Sequence, residues 1–241
     1  MKRALLLAAA LLLGGAEKHS GYEDATEAVR AMQDDDTANP AMLWVEQGAA
    51  LWNQGTKSCA SCHGPPASMR GVAARYPRFA GRPITLAAQV NQCRTERQGL
   101  PALPEEGDEM LGLTALIGMQ SRGLPVAVDA SGPAAQATLE QGRALFEQRM
   151  GQLNLACAQC HDGLAGMRLG GSRIPQGHPN GYPEYRLEWQ GMGSLYRRLR
   201  NCMVGVRADP LPPGSPEVAA LEFYLGWRAN GLKVETPAVR P

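Results

Sequence analysis

Two short runs in this sequence carry the residues for chemistry: Cys59-Ala-Ser-Cys62-His63 and Cys157-Ala-Gln-Cys160-His161. On a helical turn, residues three apart share a face, so both thiols of a run reach one flat ligand from the same side. The histidine that follows turns its imidazole toward a metal at that ligand's centre. Cys-x-x-Cys-His is the attachment signature of a c-type haem. A redox Cys-x-x-Cys sits beside a βαβ pattern, and a zinc site needs four tetrahedral ligands; the sequence offers neither setting. Two covalently bound haem c groups are expected, held by Cys59, Cys62, Cys157 and Cys160, with His63 and His161 on the irons.

A six-coordinate iron needs a second axial ligand, commonly methionine or histidine. His19 and His178 are not equivalent between the two halves, and no methionine recurs late in both. Cysteine does recur, as Gln92-Cys93-Arg94 and Asn201-Cys202-Met203. Cys93 and Cys202 are read as the distal ligands, each near the end of a helix. The alternative is a disulfide between Cys93 and Cys202, since four thioethers leave two cysteines.

The elements that must position these residues occur twice. Glu46-Gln47-Gly48-Ala49-Ala50-Leu51-Trp52 is answered by Glu140-Gln141-Gly142-Arg143-Ala144-Leu145-Phe146. Tyr76-Pro77 is answered by Tyr182-Pro183, and Leu113–Gly118 by Leu221–Gly226. Pro40 suits a first helical turn after Asn39, and Leu43, Ala50 and Leu51 fall on one helical face. A glycine kept in both copies of one helix, Gly48 and Gly142, predicts a close crossing with the helix of Leu113–Gly118 or Leu221–Gly226. Strand-type alternation is nearly absent. The expected fold is mostly α: two tandem class I cytochrome c-like domains with long loops, at 41–124 and 138–241, the second carrying the active site. Residues 125–137, rich in Pro, Gly, Ser and Ala, read as a linker, and 17–40 as a polar N-terminal arm.

Met1-Lys2-Arg3, an apolar run over 4–13 and then Gly14-Gly15-Ala16 have the form of a secretory signal peptide over 1–16. The run is too short to span a bilayer, so a periplasmic protein without membrane insertion is expected. Of 24 basic and 23 acidic side chains, Lys2 and Arg3 leave with the signal, and the near-neutral remainder gives no reason to expect nucleic-acid binding. Aromatics make up 5% of the chain, thin for a core, and two buried porphyrins supply the missing apolar surface. Asp34–Asp36 and Glu105, Glu106, Asp108 and Glu109 form acidic clusters. Arg186, Arg197, Arg198, Arg200 and Arg207 gather basic charge late in the chain, where they suit haem propionates or an anionic substrate.

Across essentially its whole length the chain resembles the SoxA family, dihaem cytochromes c of SoxAX complexes, and Arg198-Leu-Arg-Asn-Cys202 matches that family's Arg-x-x-x-Cys segment. The resemblance implies an L-cysteine S-thiosulfotransferase of thiosulfate oxidation. In that scheme Cys202 is both a ligand of the second haem and the catalytic cysteine, carrying a persulfide. Thiosulfate is coupled oxidatively to it and passed to a cysteine of the carrier protein SoxYZ. The electrons leave through a SoxX-type monohaem cytochrome c held as heterodimer partner. Arg198, one turn before Cys202, is assigned the substrate anion; Cys93 has Gln89 at that position and is given no substrate role. Two rival readings are thiosulfate dehydrogenase, which joins two thiosulfates into tetrathionate, and a plain electron-transfer cytochrome.

Overall fold

The computed structural model describes residues 17–241, and the expected signal peptide over 1–16 lies outside them. Helices dominate: α1 (Glu27–Asp34), α2 (Met42–Trp52), α3 (Cys59–His63), α4 (Leu86–Cys93), α5 (Asp108–Met119), α6 (Pro133–Glu147), α7 (Cys157–His161), α8 (Leu195–Gly205) and α9 (Pro216–Arg228). Their starts are written in the sequence. Thr26, Ser58, Thr85, Ser194 and Ser215 each accept a hydrogen bond from a first-turn amide, satisfying donors that the helix itself leaves open. Asn39 does the same for the turn leading into α2, where its side chain accepts from the amide of Ala41 at 2.9 Å.

Two helix crossings organise the molecule. At the first, a β-carbon added to Gly48 of α2 would lie 2.2 Å from the carbonyl oxygen of Gly112 in α5. At the second, one added to Gly142 of α6 would lie 2.1 Å from the carbonyl oxygen of Ala220 in α9. Each glycine thus lets two backbones touch, as its duplication predicted. The same contact corrects the expected face of α2. With Gly48 against α5, the buried side is Val45, Gly48 and Trp52, while Leu43 turns outward and is 66% exposed. The helix is apolar nearly all round, so side-chain periodicity alone did not select the face.

The two halves are not beads on a string. One core gathers Val45, Trp52, Leu113 and Leu116 but also takes Tyr185, Met192 and Val239 from the second half. The other gathers Leu139, Phe146, Leu221 and Phe223 and takes Ala74 from the first. The stretch read as a linker is packed. Val126, Val128 and Ala130 are buried, the Val126 amide donates to Leu232 O at 2.8 Å, and α6 begins inside it at Pro133, a residue suited to a first helical turn. The N-terminal arm contains α1, tied to the chain end because Gln33 Oε1 accepts from the Val239 amide at 3.0 Å.

Short strands finish the structure. β1 (Arg78–Phe79) pairs antiparallel with β2 (Pro83–Ile84), and β3 (Arg168–Leu169) with β4 (Ser172–Arg173). β5 (Glu184–Arg186) lies between β6 (Gly191–Gly193), antiparallel, and β7 (Ala238–Arg240), parallel.

Between the halves lies a cavity of about 140 Å³ walled by corresponding parts of both: Tyr76-Pro77 faces it with Tyr182-Pro183, Leu86 with Leu195, and Thr114 with Glu222. Glu222 is 5% exposed, and burial, with Glu105 and Glu106 nearby, pushes its carboxyl up to about 8.

Candidate functional site

Each Cys-x-x-Cys-His run is one short helix. In α3, Ser58 caps the turn by accepting from the Ser61 amide at 3.1 Å, and the Ser61 hydroxyl donates back to Ser58 O at 2.7 Å. In α7, Gln159 Oε1 reaches back to accept from the Ala156 amide at 2.8 Å. Cys59, Cys157 and Cys160 are half-buried and Cys62 is exposed.

The environment of His161 suits a metal ligand. Its Nδ1 lies 2.7 Å from the carbonyl oxygen of Pro175; a carbonyl only accepts, so Nδ1 carries the proton and Nε2 keeps its lone pair for a metal. Burial is the largest influence on this imidazole and lowers its pKa, with Arg198 and Arg228 adding to that effect. The ring rests near Phe146, centroids 6.5 Å apart. Gly177, at φ +74°, passes close enough that a β-carbon there would lie 3.0 Å from the ring. His63 is exposed and stands 5.9 Å from the Trp52 ring, the counterpart of Phe146.

Cys93 ends α4 and Cys202 lies in α8, each within electrostatic reach of the motif of its own half. Burial raises the Cys59 thiol, the Gln98 amide and Arg94 oppose this, and the Cys93 thiol adds to it. Burial pushes the Cys157 thiol up to about 11, and the Cys202 thiol adds to that. All six cysteines are unpaired, so the alternative disulfide between Cys93 and Cys202 is not formed. The donor set fits haem c: in each motif two thiols three apart on one helical turn with an imidazole following, that of His161 in a committed tautomer.

The helices bearing the extra cysteines match from the start. Thr85 and Ser194 cap α4 and α8, each eight residues before its cysteine. Four residues before it stand Gln89 and Arg198. The Gln89 amide nitrogen donates to Cys93 Sγ at 3.7 Å, and its oxygen accepts from Arg78 at 2.6 Å. Arg198 instead donates to Glu188 at 3.2 Å.

The arginine cluster is only partly free charge. Arg186 pairs with Glu184 at 3.1 Å and Glu188 at 2.9 Å. Arg197 lies 4.4 Å over the Trp189 ring. Arg200 and Arg207 are exposed, the latter at φ +57°. Glu184 and Glu188 are the counter-ions that a count of arginines misses; their place only two and ten residues away in the chain is the available signal. Arg228 was missed as well. Ending α9, it sits 4.5 Å over Phe146 and pairs at 2.7 Å with Asp162, the residue after His161. Among the described residues, no helix is long and apolar enough to cross a membrane.

Comparison with known proteins places this geometry. A family model described as SoxA/TsdA, cytochrome c domain, matches residues 47–126 and 141–234. The chain is 42% identical to the L-cysteine S-thiosulfotransferase subunit SoxA of Pseudaminobacter salicylatoxidans, over 92% of this chain and 80% of that protein. It is 40% identical to the same subunit of Rhodovulum sulfidophilum, over 93% and 80%. It superposes on the crystal structure of SoxXA from P. pantotrophus with a TM-score of 0.88 and 38% identity, covering 92% of this chain and 87% of that one.

Proposed function

Because the chain belongs to the SoxA/TsdA cytochrome c family, we propose that it is the dihaem SoxA subunit of a periplasmic L-cysteine S-thiosulfotransferase. It would pair with a SoxX-type cytochrome c and load thiosulfate onto a cysteine of a SoxYZ carrier. Its two class I cytochrome c-like units would each hold one haem: Cys59, Cys62, His63 and Cys93 in the first, Cys157, Cys160, His161 and Cys202 in the second. Bound there, haem supplies an exit for electrons one at a time.

The protein's own groups would do the rest. Arg198, one turn before Cys202, presents a planar fork of donors that suits a sulfonate end, leaving the sulfane sulfur of thiosulfate toward Cys202. A Cys202 persulfide anion joined to that sulfur would form one S–S bond and release two electrons, which the partner cytochrome would accept. The carrier thiolate then attacks the former sulfane sulfur. It takes the thiosulfonate group in a new S–S bond and leaves the persulfide anion on Cys202, so charge and atoms balance. Arg198, held by Glu188 at rest, would exchange that carboxylate for the substrate.

The observation that carries this reading is geometric: Arg198 and Cys202 stand one helical turn apart on one face of α8, with the guanidinium held at 3.2 Å by Glu188. The test is to incubate the holoprotein and its partner cytochrome with thiosulfate, an electron acceptor and a carrier protein bearing one free cysteine. Mass spectrometry of the carrier should show one added thiosulfonate. Tetrathionate formed from thiosulfate alone, with the carrier unmodified, would assign the protein to thiosulfate dehydrogenase instead.

A further inference from the structure

Cys93 and Cys202 occupy the same register of equivalent helices, yet their neighbours one turn back differ in kind. The carboxamide of Gln89 is oriented from both ends. Its oxygen accepts from Arg78 at 2.6 Å, and its nitrogen is therefore the atom turned to Cys93 Sγ at 3.7 Å. Arg78 is held in reach by the β1–β2 hairpin, where it pairs with Ile84. The next residue, Thr85, caps α4 by accepting from the Ala88 amide at 3.1 Å. Arg78, Gln89 and Cys93 therefore form one chain of donors ending on sulfur. A cation at its far end polarises the amide and strengthens the N–H as a donor. In the second half no such chain exists: Arg198 spends its fork on Glu188.

Resting on the reading of Cys93 as an iron ligand, we propose that Gln89, backed by Arg78, is a positioning residue that sets the reduction potential of the first haem by hydrogen bonding the Cys93 sulfur. A thiolate pushes electron density onto iron and favours the oxidised state. An N–H directed at that sulfur withdraws some of the density and favours reduction. The first haem is thereby tuned upward by a neutral amide.

The experiment is a spectroscopic redox titration of the holoprotein, resolving both haems, with Cys93→Ala and Cys202→Ala used to assign each transition. Gln89→Leu removes the donor without adding charge, and Gln89→Glu removes it while keeping volume and the Arg78 contact. Both should lower the potential of the first haem and leave the second unmoved, with the ligand-field spectrum of the first haem retained. Arg78→Met should give a smaller fall in the same direction, and Gln89→Arg, which restores a donor, should bring the potential back up. If Gln89→Leu and Gln89→Glu leave the first potential unchanged while Cys93→Ala alters that haem's spectrum, the proposal is overturned and the ligand reading stands. If Cys93→Ala itself leaves the first haem unaltered, both fall together.

Discussion

The Nδ1 of His161 and the carbonyl oxygen of Pro175 stand 2.7 Å apart, while His63 rests near the Trp52 ring, 5.9 Å away. The histidines of the two motifs are equivalent in sequence and differently supported in space. The second motif has the firmer anchor, and its half also carries the arginine–cysteine pair assigned to sulfur chemistry.

The first prediction concerns the two extra cysteines. Cys202→Ala is expected to abolish transfer of thiosulfate to the carrier, because the proposed acceptor sulfur would be gone, while the proposed thioethers at Cys157 and Cys160 would keep the haem attached. Cys93→Ala should leave transfer measurable and change the absorption spectrum of the first haem. Transfer assays beside difference spectra of the two variants check this; full transfer by Cys202→Ala would remove the proposed mechanism.

Arg198→Ala should lower kcat/KM for thiosulfate by about 10- to 100-fold, the loss expected for a charge-assisted pair with an oxyanion. Arg198→Lys should recover part of it, since an ammonium keeps the charge but not the fork. Glu188 competes for the same guanidinium at 3.2 Å, so Glu188→Gln should lower KM. Steady-state kinetics with varied thiosulfate separate these effects.

Glu222 makes stability depend on pH. Its carboxyl sits near 8 in the folded protein against 4.5 ordinarily, so the folded state keeps a proton that the unfolded chain sheds between those values. Stability therefore falls as pH rises from about 4.5 to 8 and levels off above, by roughly 2–4 kcal/mol. Glu222→Gln should remove that slope. Denaturant titrations of both proteins at pH 5 and pH 8 measure it, and equal slopes would show that the carboxyl is not held protonated.

Gly48→Ala and Gly142→Ala should each cost about 3 kcal/mol or more, because the new methyl meets backbone rather than a yielding side chain. Thermal denaturation of the holoproteins tests this, with Gly205→Ala as control: a β-carbon there meets nothing within 4 Å.

What could be read before the structure was the chemistry with local spacing and whatever the chain wrote twice. Cys-x-x-Cys-His needs only one helical turn, and the pairing of α2 with α5 and of α6 with α9 is announced by a glycine kept in both copies. Three kinds of feature escaped. The β5–β7 pairing joins Tyr185 to Val239 across more than fifty residues, and three-residue strands are too short to show alternation. The outward turn of Leu43 was fixed by the partner helix, not by its own sequence. Arg228 acts beside His161 only because α9 folds back over Phe146, so its pairing with Asp162 has no local signature.

The wall between the halves has a consequence for how one chain divides its labour. Two separate copies of such a unit, meeting through the same Tyr-Pro and helix-start surfaces, would have to place whatever stands at position 222 on the axis twice, carboxyl opposite carboxyl. Joining the copies in tandem lifts that constraint: Thr114 answers Glu222, as Gln89 answers Arg198. Fusion is thus what permits unlike residues at like places, so that the two halves can be shaped for different tasks.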